Sequence, residues 1–339
     1  MNPASLRIGR FDDVHLRAVN AHLPATRVTT TALAAAIGAD GDELARLTGV
    51  VERPVAAPEI ATSDLVIAAL APLVATATPA AIDRLVIATM TPDHPSPATA
   101  PLVQHRLGLP PLPAFDVQAA CAGFVFALDL AARAIATGDR AVLVGAGECR
   151  VRTLSRATPG VRVLFGDGAA GALVGRGPGG LRLIATGLSA DGSGHAAVRV
   201  EAGGSRRPSS PETLAAGLEA LRMEDGPHVF MKATEAFIDL ADTFLGALGV
   251  ALDDIAWIVP HQPNVRILER VARLLRVPRE RFVITGDRVG NTGGASVAIA
   301  LAAIWPRIAP GDKVLLLTAG AGYTAGAALL ERPRDGAPC

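Results

Sequence analysis

Cys121 is the residue whose type and position most clearly predict chemistry in this chain. It follows the strand-like run 114–117 and begins the small-residue, amphipathic helix pattern 121–136. A thiol at such a turn lies over unpaired backbone N–H groups and at the positive end of a helix dipole, and both favour thiolate over thiol. We therefore expect Cys121 to be a nucleophile.

Two more polar residues occupy comparable positions, where an apolar run gives way to a helix pattern. His261 follows the strand-like run 255–259, and Asn291 immediately precedes the helix pattern 292–304. Three such ends can point into one cleft of an α/β protein. Taken singly, His261 could be a buried polar residue and Asn291 a helix cap. Together with Cys121 they predict a shared reaction centre.

The composition predicts a globular protein with a large core and no global electrostatic field. The chain has 339 residues, 50% of them hydrophobic, which is enough for two ordinary domains or one large α/β unit. Lys plus Arg and Asp plus Glu number 32 each, so the formal net charge is zero. This balance would not recruit nucleic acid or an anionic membrane, and we expect neither as a partner.

The three cysteines, Cys121, Cys149 and Cys339, predict neither a metal site nor a disulfide framework. They lie far apart and fit no zinc-ligand spacing, which is typical of a reducing compartment. The start of the chain has no apolar signal segment, and the longest apolar stretch, near 297–305, is too short to span a bilayer. We expect a soluble, cytoplasmic protein without bound metal.

Short strand patterns alternate with longer helix patterns, which indicates an α/β fold. Strands are predicted over 85–88, 114–117, 141–144, 171–174, 181–186, 255–259, 313–317 and 325–330, and helices over 64–75, 98–107, 121–136, 232–248, 264–275 and 292–304. Each half ends in a glycine-rich turn before an apolar strand, so we expect two similar α/β halves, 1–178 with the cysteine and 179–339 with the histidine and asparagine.

Two loop-like segments receive an interpretation of their own. The glycine-rich turn 165–171 lacks the lysine and spacing of a phosphate-binding loop, so we interpret it as structural and expect no nucleotide cofactor. The segment 188–226, rich in Gly, Ser and Pro, interrupts the α/β alternation. We expect it to lie at the surface and to border the substrate path.

Several segments resemble the β-ketoacyl-ACP synthase III (FabH-like) family of the thiolase superfamily. They are 113–130 with Leu164-Phe165-Gly166-Asp167-Gly168, then Val259-Pro260-His261-Gln262-Pro263-Asn264-Val265-Arg266-Ile267, then Asp287-Arg288-Val289-Gly290-Asn291-Thr292, and the closing turn 319–326. The resemblance covers nearly the whole chain, in order and with matching intervals. It implies a duplicated thiolase-like fold with five αβαβα layers, no cofactor and a homodimer.

The resemblance also implies a role for each site residue. Cys121 would accept an acyl group, while His261 and Asn291 would act on the second thioester. Condensation places negative charge on an enolate oxygen, and two fixed donors on that oxygen lower the barrier. The oxyanion formed at the attacked thioester would be held by the backbone N–H groups of Cys121 and Ala321, where the alanine replaces a glycine usual in the family.

The chain departs from family members that prime from acyl-CoA. Glu43 and Pro159 stand in segments where those members carry a Trp and an Arg that clamp the adenine, and Leu47 replaces another Arg that contacts CoA. We therefore expect substrates bound to an acyl carrier protein. Three basic residues at i, i+4 and i+7 of one helix pattern would dock it, unless they only form a solvated helix face: Arg266, Arg270 and Arg273.

The resulting hypothesis is a ketosynthase of specialised metabolism that joins two carrier-bound β-ketoacyl chains into an α-pyrone, in a subgroup also similar to the quinolone-signal synthase PqsD. Its donor could be activated by loss of a proton, with His261 as the first candidate base and His94 or His105 as further ones. One alternative is a synthase III that condenses acyl-CoA with malonyl-ACP. Another is a cysteine hydrolase, although the sequence around Cys121 lacks the papain signature.

Overall fold

The computed structural model describes residues 6–334, so Cys339 lies outside the described residues. Its strands are β1 (Arg7–Arg10), β2 (His15–His22), β3 (Arg27–Thr29), β4 (Glu52–Pro54), β5 (Arg84–Ala88), β6 (Ala114–Val117), β7 (Ala141–Glu148), β8 (Gly168–Gly175), β9 (Leu181–Ala190), β10 (Val198–Val200), β11 (Leu221–Met223), β12 (Ile255–Pro260), β13 (Lys313–Gly320) and β14 (Thr324–Glu331). Its α-helices are α1 (Thr30–Ala36), α2 (Gly41–Thr48), α3 (Thr62–Thr76), α4 (Thr99–Arg106), α5 (Gly123–Ala136), α6 (Pro159–Arg162), α7 (Pro211–Ala215), α8 (Gly226–Leu248), α9 (Val265–Leu274), α10 (Gly286–Val289) and α11 (Ser296–Ile304).

Most of the strands belong to one mixed sheet in which a pairing pattern occurs twice. The sheet has ten strands in the order β12-β13-β14-β9-β2-β8-β7-β5-β6, with β1 beside β9. Strand β7 runs parallel to β5 and antiparallel to β8, and β13 likewise runs parallel to β12 and antiparallel to β14. Strand β2 joins the two sets, because it pairs with β8 along its length and with β9 at His15 and Leu16.

Three hydrophobic clusters show how helices cover both faces of the sheet. Leu70 of α3 and Val103 of α4 pack on the outer face of β5, β7 and β8. Leu128 of α5 and Leu301 of α11 share a central core with strands from both sets. Phe244 of α8 lies in the third cluster, with α9 and strands β12 to β14. The two strand sets thus lie on opposite sides of α5 and α11, with α3 and α4 outside one set and α8 and α9 outside the other. The layers alternate helix, strand set, helix, strand set, helix, which confirms the predicted five-layer αβαβα fold.

The predicted elements are present, with differences at their ends. All eight predicted strands form, and several are longer, since β7 continues to Glu148 and β9 to Ala190. Helices α5 and α11 begin later than predicted because each is preceded by a 3₁₀ turn, Ala120–Ala122 and Gly293–Ala295 respectively. The prediction omitted β2, although it lies at the centre of the sheet.

The predicted boundary between the two halves, at residues 178 and 179, falls in the turn between β8 and β9. The division into two domains stays a prediction, since the central helical layer packs against strands on both sides of that turn. Across residues 6–334, every helix is too short or too polar to cross a lipid bilayer.

Candidate active site

The structure brings the three predicted polar side chains together. Cys121, His261 and Asn291 all line one cavity of about 190 Å³, and Ala321 lines it as well. Cys121 enters from the start of α5, His261 from the end of β12, and Asn291 from the turn before α11. Because α5 and α11 form the central layer, both helix starts face the same interior pocket.

The backbone aims the Cys121 side chain at the pocket through a tight turn. Ala120 has a φ of +46°, a left-handed conformation that an L-residue adopts at some cost, and strain of this kind is often found at functional sites. The turn between β13 and β14 closes on it, because a Cβ at Gly320 would lie 2.8 Å from the Cys121 nitrogen. The backbone N–H groups of Ala321 and of Cys121 itself favour a negative charge on the sulfur and so lower its pKa.

The expectation that the helix start makes Cys121 a thiolate is wrong, because desolvation in the packed pocket opposes the charged form. Burial is the largest influence and raises the pKa of the Cys121 thiol to about 12, with the charge of Glu148 raising it further. Arg150 and the two N–H groups lower the pKa, but they do not outweigh desolvation. The resting nucleophile is therefore a neutral thiol.

His261 is held by its backbone and by Ser296. Its N–H donates to the Leu317 carbonyl at 2.7 Å, and its Nδ1 lies 2.5 Å from Ser296 Oγ. Ser296 Oγ already accepts the Gln262 N–H at 3.2 Å, so donating its own hydroxyl proton to Nδ1 satisfies both buried groups. That arrangement places the imidazole proton on Nε2. Burial lowers the pKa of His261 to about 3, so the ring is neutral.

Asn291 is fixed between two segments of the chain. Its N–H donates to the Leu164 carbonyl at 2.7 Å, and its carbonyl accepts the Gly166 N–H at 3.1 Å. The side-chain Oδ1 accepts the Gly293 N–H at 2.8 Å, so Asn291 caps the turn before α11, as the alternative interpretation predicted. With Oδ1 occupied, Nδ2 is the group that can donate to a ligand. The turn that supplies Gly166 leads directly into β8, and its interpretation as structural stays a prediction.

The pocket wall is mostly apolar and comes in part from the segment 188–226. That segment supplies β10 and β11 to the lining, so it borders the candidate pocket, whereas its place on a substrate path stays a prediction. The apolar side chains around the pocket include Val198, Leu221, Met223, Val229, Phe230 and Ile267. One charged lining residue, Arg150, is 93% buried, since its relative exposure is 7%. The sequence analysis missed Arg150, Ser296 and Gln262, because nothing in the local pattern marks them as part of a site.

The predicted docking residues lie on α9, outside the pocket. Arg266 is half-buried and donates to the Arg46 carbonyl at 2.9 Å and to Glu269 at 2.9 Å. Arg270 and Arg273 are exposed on the same helix. Ile267 of α9 contributes to the pocket wall, so the exposed arginines lie on an element that borders the site.

The remaining candidates are placed away from the reaction centre. His94 and His105 are exposed and do not line the pocket, so the idea that either is a base for this site is wrong. Glu43 and the half-exposed Leu47 lie on α2, and Pro159 begins α6. Within residues 6–334, no group of three His, Cys, Asp or Glu side chains is arranged to hold a metal ion.

A half-buried thiol beside a buried imidazole and a buried carboxamide in one interior pocket of a five-layer αβαβα fold defines an acyltransferase of the thiolase type. Comparisons with known proteins agree with this class. The model of the 3-oxoacyl-[acyl-carrier-protein (ACP)] synthase III family matches residues 115–192, and the model of its C-terminal part matches residues 245–332. The chain belongs to this family and is a ketosynthase.

Individual relatives cover nearly the whole chain. The 3-oxopimeloyl-[acyl-carrier-protein] synthase of Rhodothermus marinus is 40% identical over 315 residues, which is 92% of each chain. The crystal structure of the β-ketoacyl-ACP synthase III of Thermus thermophilus is 33% identical, with a TM-score of 0.84 over 94% of this chain and 98% of that one. The priming β-ketosynthase of the R1128 polyketide pathway is 30% identical, with a TM-score of 0.83 over 96% and 99%.

Proposed function

We propose that this protein transfers a short acyl chain to Cys121 and condenses it with malonyl-ACP to give a 3-oxoacyl-ACP. The convergence of Cys121, His261 and Asn291 on one pocket is the observation that carries the proposal. The cavity of about 190 Å³ favours a short chain, because pockets for drug-sized ligands span roughly 300–1,000 Å³. The names of two relatives, which refer to a 3-oxoacyl-ACP product and to priming, support the same reaction.

In the first step, the Cys121 sulfur attacks the carbonyl carbon of the primer thioester. The backbone N–H groups of Cys121 and Ala321, two residues that line the pocket, would donate to the oxygen that becomes negative. The C–S bond to the carrier then breaks, and the thiol proton leaves with the departing carrier thiol. The product is an acyl-Cys121 thioester.

In the second step, malonyl-ACP loses CO₂ and its remaining electron pair forms an enolate. The Nε2–H of His261 and the Nδ2 group of Asn291 would donate to the enolate oxygen, and a neutral imidazole suits that role. The enolate carbon attacks the acyl-Cys121 carbonyl, a C–C bond forms, and the Cys121 thiolate leaves and takes up a proton. The pocket regains its neutral thiol.

Joining two β-ketoacyl chains into an α-pyrone is the second candidate. It is favoured by Glu43, Leu47 and Pro159, which replace the CoA-clamping residues of acyl-CoA-primed relatives. A β-ketoacyl donor can be activated by removal of a proton, but His261 is a weak base, because burial lowers its pKa to about 3. The site therefore supports decarboxylation better than deprotonation.

The deciding assay offers the protein two sets of substrates and follows the products by mass spectrometry. One set is an acyl-CoA or acyl-ACP primer with malonyl-ACP, and the other is a pair of β-ketoacyl-ACP thioesters. We expect 3-oxoacyl-ACP from the first set, and we expect Cys121→Ala to show no acyl-enzyme adduct by intact mass. A pyrone from the second set, with no product from the first, would establish the chain-joining function and refute the priming one.

A further inference from the structure

Arg150 is a buried cation in the wall of the acyl pocket. It follows β7 after Cys149, has a relative exposure of 7%, and lines the same cavity as Cys121. Its Nε is fully buried and has no hydrogen-bond partner. A guanidinium removed from water without an anion is strongly unfavourable, and such a group is usually paired or bound to a ligand.

Two other cations of the described chain, one buried and one lining the pocket, have side-chain partners that Arg150 lacks. The Arg53 Nε also has no partner, but its Nη2 donates to the Val163 carbonyl at 2.8 Å and to the Thr30 hydroxyl at 2.6 Å. Lys232, which also lines the pocket, forms an ion pair with Glu235 at 2.9 Å. Over residues 6–334, Arg150 takes part in no ion pair of this kind.

Glu148 is the acidic group nearest in sequence, and its carboxylate is already used elsewhere. It accepts the Met90 N–H at 3.0 Å and the Thr91 hydroxyl at 2.9 Å. Burial raises the pKa of Glu148, while the charge of Arg150 lowers it, so the two groups interact at a distance without a direct ion pair. Glu148 therefore acts on Arg150 through space and leaves the guanidinium without a direct carboxylate partner.

We propose that Arg150 binds a carboxylate at the far end of the acyl chain carried by Cys121, so that the preferred primers are monothioesters of dicarboxylic acids. This inference rests on the proposed function. A guanidinium can hold a carboxylate through two parallel hydrogen bonds, whereas the apolar walls hold the methylene groups between the two ends. Arg150 thus selects for a charged chain end where the rest of the wall selects for an apolar one.

The carboxylate of the malonyl group is a second source of the same chemistry, and it fits the position less well. That carboxylate must leave as CO₂, and an ion pair with Arg150 would stabilise it before the reaction and slow its loss. A carboxylate at the far end of the primer is unchanged by the reaction. Binding to Arg150 therefore lowers the energy of every state along the reaction path.

Binding can be measured without turnover in the Cys121→Ala background. Isothermal titration calorimetry would compare glutaryl-pantetheine, hexanoyl-pantetheine and malonyl-pantetheine, with succinyl and adipyl homologues to set the chain length. We expect one dicarboxylic homologue to bind at least 10-fold more tightly than the uncharged chain, and Arg150→Met to remove that preference. Lys232→Met should keep it. Equal binding of charged and uncharged chains would overturn the proposal. It would also be overturned if Arg150→Met weakened only the binding of malonyl-pantetheine, or if Lys232→Met removed the preference for the dicarboxylic chain.

Turnover of the same primers with malonyl-ACP separates this inference from the function on which it rests. If uncharged primers give 3-oxoacyl-ACP and no dicarboxylic primer is preferred, the role of Arg150 is refuted while the condensation stands. If no primer reacts but the binding preference holds, the condensation fails and the carboxylate site stands. Arg150→Met should lower Cys121 acylation by the preferred dicarboxylic thioester at least 10-fold more than acylation by the hexanoyl thioester; an equal loss for all primers would show that Arg150 acts on the thiol instead. Circular dichroism and Arg150→Lys, which keeps the charge, control for misfolding.

Discussion

At the scale of single residues, the site holds its reacting groups in neutral form. Desolvation in the pocket raises the pKa of the half-buried Cys121 to about 12, and burial lowers the pKa of His261 to about 3. Between those values neither group carries a charge, so the pocket contains no thiolate–imidazolium pair. This differs from cysteine hydrolases that depend on such a pair, in which the thiol pKa is strongly lowered.

The raised pKa of Cys121 predicts a particular pH dependence of alkylation. A thiol whose pKa is raised is protonated below that pKa, so its thiolate fraction grows about tenfold per pH unit up to the pKa. In a Cys149→Ser/Cys339→Ser background, the rate of iodoacetamide labelling should keep rising from pH 7 to about pH 10. An ordinary thiol levels off above its pKa of about 8.5. A plateau near pH 9, with circular dichroism unchanged, would contradict the burial argument, and Cys121→Ser supplies the blank.

Ser296 should act as a positioning residue for His261. Its hydroxyl lies 2.5 Å from Nδ1, and Ser296→Ala would leave that nitrogen without a partner and free the ring to turn or change tautomer. We expect the condensation rate to fall about 10-fold, the equivalent of one hydrogen bond, while acylation of Cys121 changes little. The two steps can be measured separately by rapid quench and intact mass.

A matched control for Ser296→Ala is Thr292→Val. The Thr292 hydroxyl is equally buried, and it has no hydrogen-bond partner. Its removal should leave both steps close to the wild type. An equal loss of acylation and condensation in Ser296→Ala would show that the serine supports the fold and does not orient the ring.

At the scale of elements, the loop before α11 depends on a glycine. Gly290 has a φ of +67°, and a Cβ there would lie 2.8 Å from the Leu164 carbonyl oxygen, which is backbone and cannot move aside easily. Gly290→Ala should therefore destabilise the fold by about 1–3 kcal/mol and displace Asn291. Urea denaturation and the condensation rate measure the two effects.

The control for Gly290→Ala is Gly246→Ala. Gly246 lies inside α8, and a Cβ there would meet open space. Alanine is favoured over glycine in a helix by about 1 kcal/mol, so this variant should be as stable as the wild type or more so, with unchanged activity. If both variants lose stability equally, the loop argument is wrong.

Helix α9 provides a second prediction at this scale. Arg270 and Arg273 are exposed, whereas Arg266 is tied to the Arg46 carbonyl, so the first two are the better test of carrier docking. Arg270→Glu/Arg273→Glu should raise KM for ACP-bound substrates about 10-fold and leave pantetheine substrates unchanged, with a salt-dependent difference. Arg334→Glu, at another exposed position, is the control. An equal effect on both substrate types would refute docking at α9.

Most strands and helices could be predicted from the sequence because their apolar residues follow a regular strand or helix pattern. The apolar strands β7, β8 and β13 lie between helices of the buried layers, and their continuous Ala, Val and Leu runs match that environment. Strand β2 was missed because His15, Arg17 and Asn20 interrupt its apolar residues. Pairing with neighbours on both sides holds β2 in the sheet despite that composition.

The sequence predicted the three polar residues of the site but not the residues that surround them. Cys121, His261 and Asn291 stand at element ends, where the sequence pattern changes and a polar residue is conspicuous. Arg150 and Ser296 matter through what surrounds them in space, and local sequence carries no trace of that. The neutral state of Cys121 was missed for the same reason, because desolvation depends on the packed pocket and not on the helix start alone.

At the scale of the whole molecule, the central helical layer is what assembles the site. The helices α5 and α11 share one core with strands of both sheet halves, so the turns before them are held at a fixed separation. His261 joins them from the end of β12, whose neighbour β13 leads to Ala321. If the chain were cut between the halves, the common core would be lost, and Cys121 would no longer be held at a fixed position relative to Asn291.

The homodimer remains a prediction, and the sheet suggests where it would form. Strand β6 is an edge strand of the sheet. The Pro113 carbonyl accepts the Leu85 N–H, and the Val117 carbonyl accepts the Thr89 N–H, so the odd-numbered residues of this segment bond to β5. The N–H and C=O groups of Ala114 and Asp116 therefore face outwards, an edge that another strand can extend. Beside it, Leu102 of α4 is 37% exposed.

Pairing of β6 with β6 of a second copy would extend the sheet across a twofold axis. Light scattering after gel filtration should then give twice the mass of one chain at micromolar concentration. Ala114→Pro removes one outward N–H from each copy without touching the bonds to β5, so the twofold interface loses two hydrogen bonds and the dimer dissociation constant should rise about 100-fold. Ala114→Ser keeps that N–H and should associate like the wild type. A wild-type monomer, or equal dissociation constants for the two variants in sedimentation velocity, would place the interface elsewhere or remove it.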